Sequence, residues 1–149
     1  AERDARVEEA LDAVGLTALR RRRLDGLSGG ELQRARLARV WAQHAAVVLL
    51  DEPTSAQDVE GAARWAAALE GLRRAGRTVL VAMHDLTLAA RTCDRWWILR
   101  QGRLVSEGTP ADVIAAGGLD AAFAGFVESR RDADGWWIRP RLPAGREAQ

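Results

Sequence analysis

The chain has 149 residues, 48% hydrophobic and 29% charged, a composition that predicts one ordinary soluble domain with a core of its own. Its 22 basic residues, all of them arginine, nearly balance 21 acidic ones, so a net charge of +1 provides no global field to recruit nucleic acid or an anionic membrane. Cys93 is the single cysteine, which excludes an intrachain disulfide and a cysteine-based metal cluster, and we expect it to be a small apolar residue on a helix. Because no apolar run could cross a bilayer and residues 1–15 are too charged for a signal peptide, we expect a cytosolic chain.

Two helices joined by an arginine-rich segment are predicted at the start of the chain. Four apolar residues between positions 4 and 14 recur at helical spacing: Val7, Ala10, Leu11 and Val14. Gly15 stands where this helix would end, and Ser28 is a good N-cap for a second helix over residues 31–42. Four consecutive arginines at 20–23 could form a polyanion site, but beside an acidic helix we interpret them as solvated surface.

Two strands that flank a long helix are predicted next. The run from Ala45 to Leu50 is apolar without alternation, which is typical of a strand buried on both faces. An amphipathic stretch over about residues 58–75 ends at Gly76, and residues 78–83 form a second buried strand. Such strands alternating with helices predict an α/β fold, in which helices cover both sides of a parallel sheet.

The rest of the chain predicts short helices and two hairpins. A helix over 86–92 precedes a hairpin with strands at 96–100 and 103–107, joined at Gly102. Another helix begins around Pro110, near its first turn. A small appended hairpin is predicted over residues 126–142, around Asp134-Gly135.

Two tryptophan pairs and one histidine attract attention without clear chemical context. Trp96-Trp97 and Trp136-Trp137 could form a stacking platform, but on alternating strand faces we expect core and edge packing. His44 has no motif around it, so we expect it to be structural or exposed.

Two adjacent acids follow the first predicted strand. Asp51 and Glu52 lie at its carboxyl end, where open α/β sheets bind ligands. Because neighbouring strand residues point to opposite sides, the two acids cannot do the same job. Asp51 suits a magnesium shell, and Glu52 suits the polarisation of a water for in-line attack on phosphate.

The segment Leu-Ser-Gly-Gly-Glu at residues 27–31 predicts an anion site. Its two glycines let the backbone press against a ligand and expose N–H groups, and Ser28 adds a hydroxyl. The helix that follows directs its positive dipole end towards the same place. Phosphate oxygens are the ligand that this arrangement favours.

Three segments together resemble the ATP-binding cassette (ABC) family of transport ATPases. They are residues 27–39, from the signature-like pentapeptide onward, residues 47–58, Val-Val-Leu-Leu-Asp-Glu-Pro-Thr-Ser-Ala-Gln-Asp, and residues 79–85, Val-Leu-Val-Ala-Met-His-Asp. Their order, spacing and identities match that family, and the resemblance covers essentially the whole chain. It implies a P-loop NTPase-type parallel sheet flanked by helices, with ATP and Mg²⁺ as ligands.

The resemblance also implies a role for each motif residue. Five residues would form the signature motif that touches nucleotide held by a partner cassette: Leu27, Ser28, Gly29, Gly30 and Glu31. Asp51 would be the metal-associated acid, Glu52 the catalytic carboxylate, and His84 the contact to the terminal phosphate that helps position the attacking water.

A loop at residues 55–58 would cross to the partner subunit in such an assembly. The loop runs from Ser55 to Asp58, and we count Asp58 among the nucleotide-binding residues. Gln57 departs from the leucine more common there, which we expect to be tolerated.

The family's glycine-rich loop with its lysine has no counterpart, since the chain contains no lysine. The resemblance therefore predicts the carboxyl-terminal portion of a longer cassette, lacking the Walker A strand and the antiparallel subdomain. We expect three parts: 1–45 in the helical subdomain, 46–125 in the nucleotide-binding core and 126–149 as an appended hairpin and tail. Alone, such a chain is expected to hydrolyse no ATP, and to fold poorly, associate, or pair its remaining strands across the missing one.

The tail resembles the importers of iron-siderophores, haem and cobalamin. The segments that carry this likeness are residues 84–91, 99–114, 121–123 and 132–141. The implied partners are a second ATPase subunit, as a homodimer, two transmembrane permease subunits and an external binding protein, with no nucleic acid. The chain would then lie on the cytoplasmic face of the membrane through its permease.

Two alternatives remain open from the sequence. One is an ABC-type ATPase of DNA repair or chromosome maintenance, although those carry coiled-coil or zinc insertions that this sequence does not show. The other is a degenerate, non-catalytic interaction module that never binds ATP. An upstream glycine-rich loop would separate truncation from degeneration.

Overall fold

A computed structural model describes residues 2–54 and 58–142 of the chain. The chain divides into two compact units, Ala1–His84 and Asp85–Gln149. Helices and strands are mixed along both units, so the predicted α/β class is confirmed. This division follows compactness, and the three parts expected from the family resemblance stay a prediction.

The described residues of the first unit form three helices, two strands and two short 3₁₀ turns. In chain order they are α1 (Glu2–Ala13), the turns Thr17–Leu19 and Leu24–Gly26, α2 (Gly29–Ala42), β1 (Val47–Asp51), α3 (Val59–Arg74) and β2 (Thr78–Ala82). Each helix and strand lies within a few residues of its predicted position, whereas the two 3₁₀ turns were not predicted. Gly15, just beyond α1, has a left-handed backbone with φ of +67°, which explains why the helix ends there.

The core of the first unit is built on one face of α3. Four residues at helical spacing are buried there: Trp65, Ala68, Leu69 and Leu72. On the same helix Gly71 lies so close to α2 that a Cβ atom would overlap the ring of Trp41. The contact between these helices therefore requires glycine at this position.

Strands β1 and β2 pair in parallel, from Val47 opposite Thr78 to Asp51 opposite Ala82. The prediction that both strands are buried on both faces is wrong, because Val47 is 55% and Leu49 73% exposed, while Val48 is buried. Burial alternates along both strands, so the described residues cover one face of this two-stranded sheet and leave the opposite face open.

Up to residue 142, where its description ends, the second unit forms three short helices and two hairpins. In chain order they are α4 (Leu86–Thr92), β3 (Trp96–Arg100), β4 (Arg103–Gly108), α5 (Pro110–Ala115), α6 (Gly118–Phe123), β5 (Val127–Asp132) and β6 (Gly135–Pro140). Strands β3 and β4 pair antiparallel, as do β5 and β6, so both predicted hairpins are confirmed. Thr109 caps α5, the helix predicted at Pro110.

The predicted parallel sheet is the pair β1–β2, and the described residues form two further two-stranded sheets, which are the antiparallel hairpins. Each hairpin satisfies its ladder locally through its own turn, whereas β1 and β2 are joined through a helix and pair in parallel. Among the described residues β2 pairs with β1 and β3 with β4, so these strands do not close the expected gap by pairing with each other.

Cys93 lies directly after α4 rather than on a helix, as its C-cap. The thiol is half-buried, and this burial raises its pKa. A less acidic thiol is a weaker nucleophile at neutral pH, which agrees with a packing role. None of the described helices is both long enough and apolar enough to cross a membrane.

Candidate functional site

The parallel register of β1 and β2 brings the carboxyl ends of the two strands together. Asp51, the last residue of β1, is opposite Ala82, the last residue of β2. The Glu52 backbone N–H then donates to the Ala82 carbonyl at 2.9 Å, which extends the ladder by one bond. Because His84 follows β2 by two residues, both candidate catalytic groups emerge at this edge of the sheet.

Glu52 and His84 are in direct contact. Glu52 Oε1 lies 2.6 Å from His84 Nε2, a short separation typical of a charge-assisted hydrogen bond. Both side chains are open to solvent, with His84 the more exposed. Sequence reasoning assigned these residues separate roles, and the structure places them in one pair.

Glu52 has an unusual backbone conformation for a residue with a side chain. Its φ of +43° lies in the left-handed region, which costs an L-amino acid free energy of order 1 kcal/mol or more. The hydrogen bond to Ala82 and the contact with His84 hold this conformation. Strain retained at a strand end supports a functional interpretation of Glu52.

Asp51 is exposed at the same edge of the sheet. The described residues contain no group of three or more histidine, cysteine or acidic side chains placed to hold a metal ion. Mg²⁺ commonly keeps several waters and takes only one or two carboxylates beside substrate phosphates, so a single carboxylate fits that ion and a protein-only cage does not.

The segment 27–31 forms a second cluster, at the start of α2. The Ser28 N–H donates to Glu31 Oε2 at 2.7 Å, and the Glu31 N–H donates to Ser28 Oγ at 3.2 Å. This reciprocal capping box fixes the first turn of the helix. The hydrogen bond from the Ser28 backbone is the main reason that the pKa of Glu31 is lowered.

The capping box leaves part of Ser28 available to a ligand. Its hydroxyl oxygen accepts a bond from Glu31, and the hydroxyl proton can still be donated elsewhere. A Cβ at Gly29 would meet nothing within 4 Å, so packing within the chain does not explain glycine there. Both observations agree with a surface that closely approaches an external anion.

Leu27 and Asp58 have structural roles in the described chain. Leu27 is half-buried and ends the second 3₁₀ turn, with its N–H bonded to the Leu24 carbonyl. Asp58 caps α3, where its Oδ1 accepts from the Gly61 N–H at 2.7 Å. The predicted crossing loop at residues 55–57, including Gln57, lies outside the described residues.

Sequence reasoning overlooked the partner of His44. This histidine is half-buried and contacts Arg77, which lies just before β2. The structural role expected of His44 is therefore confirmed, whereas no sequence signal apart from proximity to a strand indicated Arg77.

The tryptophans pack as expected, on opposite strand faces. Trp96 is buried and donates to the Ala89 carbonyl, while Trp97 is exposed. In the second hairpin, the Arg91 guanidinium lies 5.1 Å from the Trp137 ring centre, which gives edge packing rather than a free stacking platform.

Comparisons with known proteins point to one family. Residues 2–55 match the model of the ABC transporter family. The chain is 39% identical over 155 residues to the cobalt import ATP-binding protein CbiO of Rhodobacter capsulatus, covering 99% of the chain and 55% of that protein. It is 46% identical over 128 residues to the hemin import ATP-binding protein HmuV of Pseudomonas aeruginosa, covering 82% of the chain and 50% of that protein.

The fold agrees with these sequences. An inward-facing structure of a metal-chelate type ABC transporter superposes with a TM-score of 0.78 at 24% identity, over 93% of this chain and 57% of that one. The chain thus spans about half the length of the curated relatives it matches. The resemblance inferred from the motifs is confirmed.

Proposed function

We propose that this chain, which belongs with the ABC transporter ATPases in sequence and fold, supplies the hydrolytic edge and the signature segment of an ATPase that drives import across a membrane. The observation that carries the proposal is the 2.6 Å contact between Glu52 and His84, where two adjacent parallel strands end. Carboxylate and imidazole together can place and polarise a water beside a terminal phosphate.

Each of these two groups would act on a different part of the reaction. Glu52 accepts a hydrogen bond from the attacking water, which increases the negative charge on the water oxygen. His84 holds Glu52 in position through Nε2, and its other ring nitrogen, Nδ1, can donate a hydrogen bond to a phosphate oxygen when the ring is doubly protonated. Because phosphoryl transfer is catalysed mainly by positioning and charge stabilisation, this pair is suited to that chemistry.

The magnesium role falls to Asp51. This carboxylate would bind Mg²⁺ directly or through water, and the ion would neutralise charge on the phosphates of ATP. Asp51 and Glu52 are adjacent, so the metal acid and the catalytic carboxylate come from one strand end.

The signature segment would serve a second nucleotide. Ser28 with Gly29 and Gly30 offers a hydroxyl and helix-terminal N–H groups to phosphate oxygens. In a homodimer these groups would touch nucleotide held by the other subunit, with Asp58 and the loop before it near the crossing point. The chain would thus contribute to two sites at once.

The transported cargo is proposed from the tail and the relatives together. Proteins named for the import of cobalt and of hemin are 39% and 46% identical to this chain. We infer a cytoplasmic subunit that associates with the membrane through two permease subunits and moves a metal-containing chelate such as haem, cobalamin or an iron-siderophore. Selectivity would reside in the permease and the external binding protein.

The first experiment reads the coding sequence upstream of residue 1 for a glycine-rich loop that carries lysine. The protein expressed with that loop is expected to hydrolyse ATP only with Mg²⁺. Glu52→Gln and His84→Ala should each lower kcat by about 10² or more, because each removes a group acting on water or phosphate. The 149-residue chain alone is expected to show background turnover.

The control is Glu107→Gln, which removes an exposed carboxylate of β4 and should leave turnover unchanged. Two results would overturn the proposal: turnover indifferent to Glu52→Gln, or an upstream sequence without a phosphate loop. The second result would favour the non-catalytic interaction module.

A further inference from the structure

The guanidinium of Arg77 contacts His44 at two atoms. Its Nη1 donates to the His44 carbonyl at 2.9 Å, and its Nη2 lies 3.1 Å from His44 Nδ1. The two residues are 33 positions apart and both are half-buried. A planar guanidinium suits such a fork, whereas the ammonium group of lysine does not reproduce it.

The contact sets the orientation of the His44 ring. A guanidinium can only donate, so Nδ1 is the acceptor in this contact. Nε2 is buried and has no hydrogen-bond partner among the described residues. The contact between Arg77 Nη2 and Nδ1 is therefore what orients this ring.

His44 lies in the short connection between two functional elements. Residues 43–46 join α2, which starts at the signature segment, to β1, which ends at Asp51. Arg77 stands immediately before β2, the strand that leads to His84. Next to the contact between Arg77 and His44, the Thr78 N–H donates to the Ala46 carbonyl at 2.9 Å, so the start of β2 is bonded to the same connection.

The connection depends on an unfavourable backbone conformation. His44 has a φ of +52°, in the left-handed region, and its N–H bonds to the Trp41 carbonyl at 3.1 Å. A residue with a side chain holds this conformation when neighbouring contacts enforce it. Because only four residues separate α2 from β1, their dihedral angles decide how the helix leaves the sheet.

We propose that Arg77 and His44 are positioning residues that form a clamp between the signature helix and the two catalytic strands. The clamp holds α2 in one direction relative to β1 and β2, so that the signature segment and the Glu52–His84 pair keep a fixed spacing. This inference rests on the proposed function, because a fixed spacing matters when both clusters serve nucleotides shared by two subunits. Neither residue touches substrate.

The first test measures the joint itself, by amide hydrogen exchange in the protein that carries its upstream portion. Arg77→Met keeps the aliphatic stem and removes every donor, so amides of residues 44–48 and 78–79 should exchange roughly tenfold faster. The matched control is Arg74→Met, which removes an exposed arginine paired with Glu70 and should leave these amides unchanged.

Substitutions at His44 separate the acceptor from the backbone. His44→Asn keeps a side-chain acceptor and tolerates positive φ, so it should retain most of the protection. His44→Gly permits the same backbone and keeps the carbonyl acceptor but offers no side-chain acceptor, so its exchange should lie between that of the unsubstituted protein and that of Arg77→Met. In the His44→Gly background, Arg77→Met should add less than it does in the unsubstituted protein, because only the bond to the carbonyl is left to lose.

The second test separates positioning from mere stability. Arg77→Met should lower kcat about tenfold while KM for ATP changes less than about twofold, since misplaced groups slow chemistry more than they weaken ground-state binding. His44→Asn should keep kcat within about threefold of the value for the unsubstituted protein, because it retains a side-chain acceptor for Arg77. Both rates are measured below the onset of unfolding of every variant.

The outcomes divide cleanly. Unchanged exchange in Arg77→Met, or faster exchange with unchanged kcat in an active enzyme, overturns the clamp and leaves the proposed function standing. An inactive unsubstituted protein, or turnover indifferent to Glu52→Gln, overturns the proposed function and with it the positioning role. Slower turnover in Arg77→Met together with retained activity in His44→Asn supports both the clamp and the proposed function.

Discussion

Helix α3 and strand β1 are neighbours in the chain and both are rich in apolar residues, yet their side chains have opposite surroundings. The helix buries Trp65 and three companions on one face. The strand buries Val48 and leaves Leu49 73% exposed. Similar composition has therefore produced a packed element and a half-covered one.

The difference lies in what each element needs from the rest of the chain. An amphipathic helix carries its own solvent face, so one partner surface completes its burial. A strand that is apolar on both faces needs cover above and below, and the described residues supply it on one side. The burial of β1 therefore depends on residues outside the segment that forms this strand.

The largest expected effect is on stability, and it comes from comparing a truncated side chain of α3 with a truncated side chain of β1. Trp65→Ala removes a side chain that is 1% exposed and should lower the free energy of unfolding by about 3–5 kcal/mol, through lost burial and a residual cavity. Leu49→Ala should lower it by less than about 0.5 kcal/mol in the 149-residue chain, because that side chain already meets solvent. Denaturant unfolding monitored by circular dichroism measures both.

Comparable losses in the two variants would contradict the comparison, since Leu49 would then be buried in solution. The comparison between α3 and β1 becomes sharper when both substitutions are repeated in the protein that carries its upstream portion. If that portion covers the open face, the loss from Leu49→Ala should rise to roughly 2 kcal/mol or more, the range for a buried leucine.

The contrast also shows what sequence reasoning could predict. Capping at Ser28, the helix stop at Gly15 and the turn at Gly102 are local signals, and the structure confirms the elements that they predicted. The prediction that β1 is buried on both faces is wrong, because an apolar run indicates that a strand needs cover on both faces. It does not indicate whether the chain supplies that cover.

The candidate site was predictable to a similar degree. Adjacent acids after a strand indicated Asp51 and Glu52, whereas the place of His84 came through the family resemblance. Their 2.6 Å contact depends on the register of β1 against β2, which no local pattern records. Arg77 was overlooked because its partner is 33 residues away and holds a left-handed backbone.

A second prediction concerns a strand that its own unit does cover. The Thr87 hydroxyl of α4 donates to the Ile138 carbonyl and accepts from the Ile138 N–H, both at 2.9 Å. Thr87→Val keeps the shape and leaves both backbone groups of β6 without this partner, so unfolding free energy should fall by about 1–3 kcal/mol. Thr87→Ser keeps the hydroxyl and should lose markedly less.

Amide exchange at Ile138 locates the effect of the Thr87 variants. Its N–H should lose protection in Thr87→Val and retain it in Thr87→Ser, since the acceptor is present only in the latter. Equal stability of the two variants would show that packing of Ile138 against α4, and not the hydroxyl, attaches the hairpin.

The smallest expected effect lies on the outer face of α3, opposite to the face that holds Trp65. Hydrogen bonds from Arg73 and Arg74 lower the pKa of Glu70 from 4.5 to about 2. A carboxyl group whose pKa is lower in the folded chain stabilises it above pH 4.5, and this contribution is lost as the pH falls towards 2.

The difference in unfolding midpoint between the unsubstituted chain and Glu70→Gln should therefore be small at pH 6 and shrink steadily on acidification. It should also shrink in 1 M salt, about the concentration at which the screening length falls to ~3 Å. A difference that is indifferent to both pH and salt would mean that Glu70 acts through helix packing, and the outer face of α3 would then resemble its inner one more than the structure indicates.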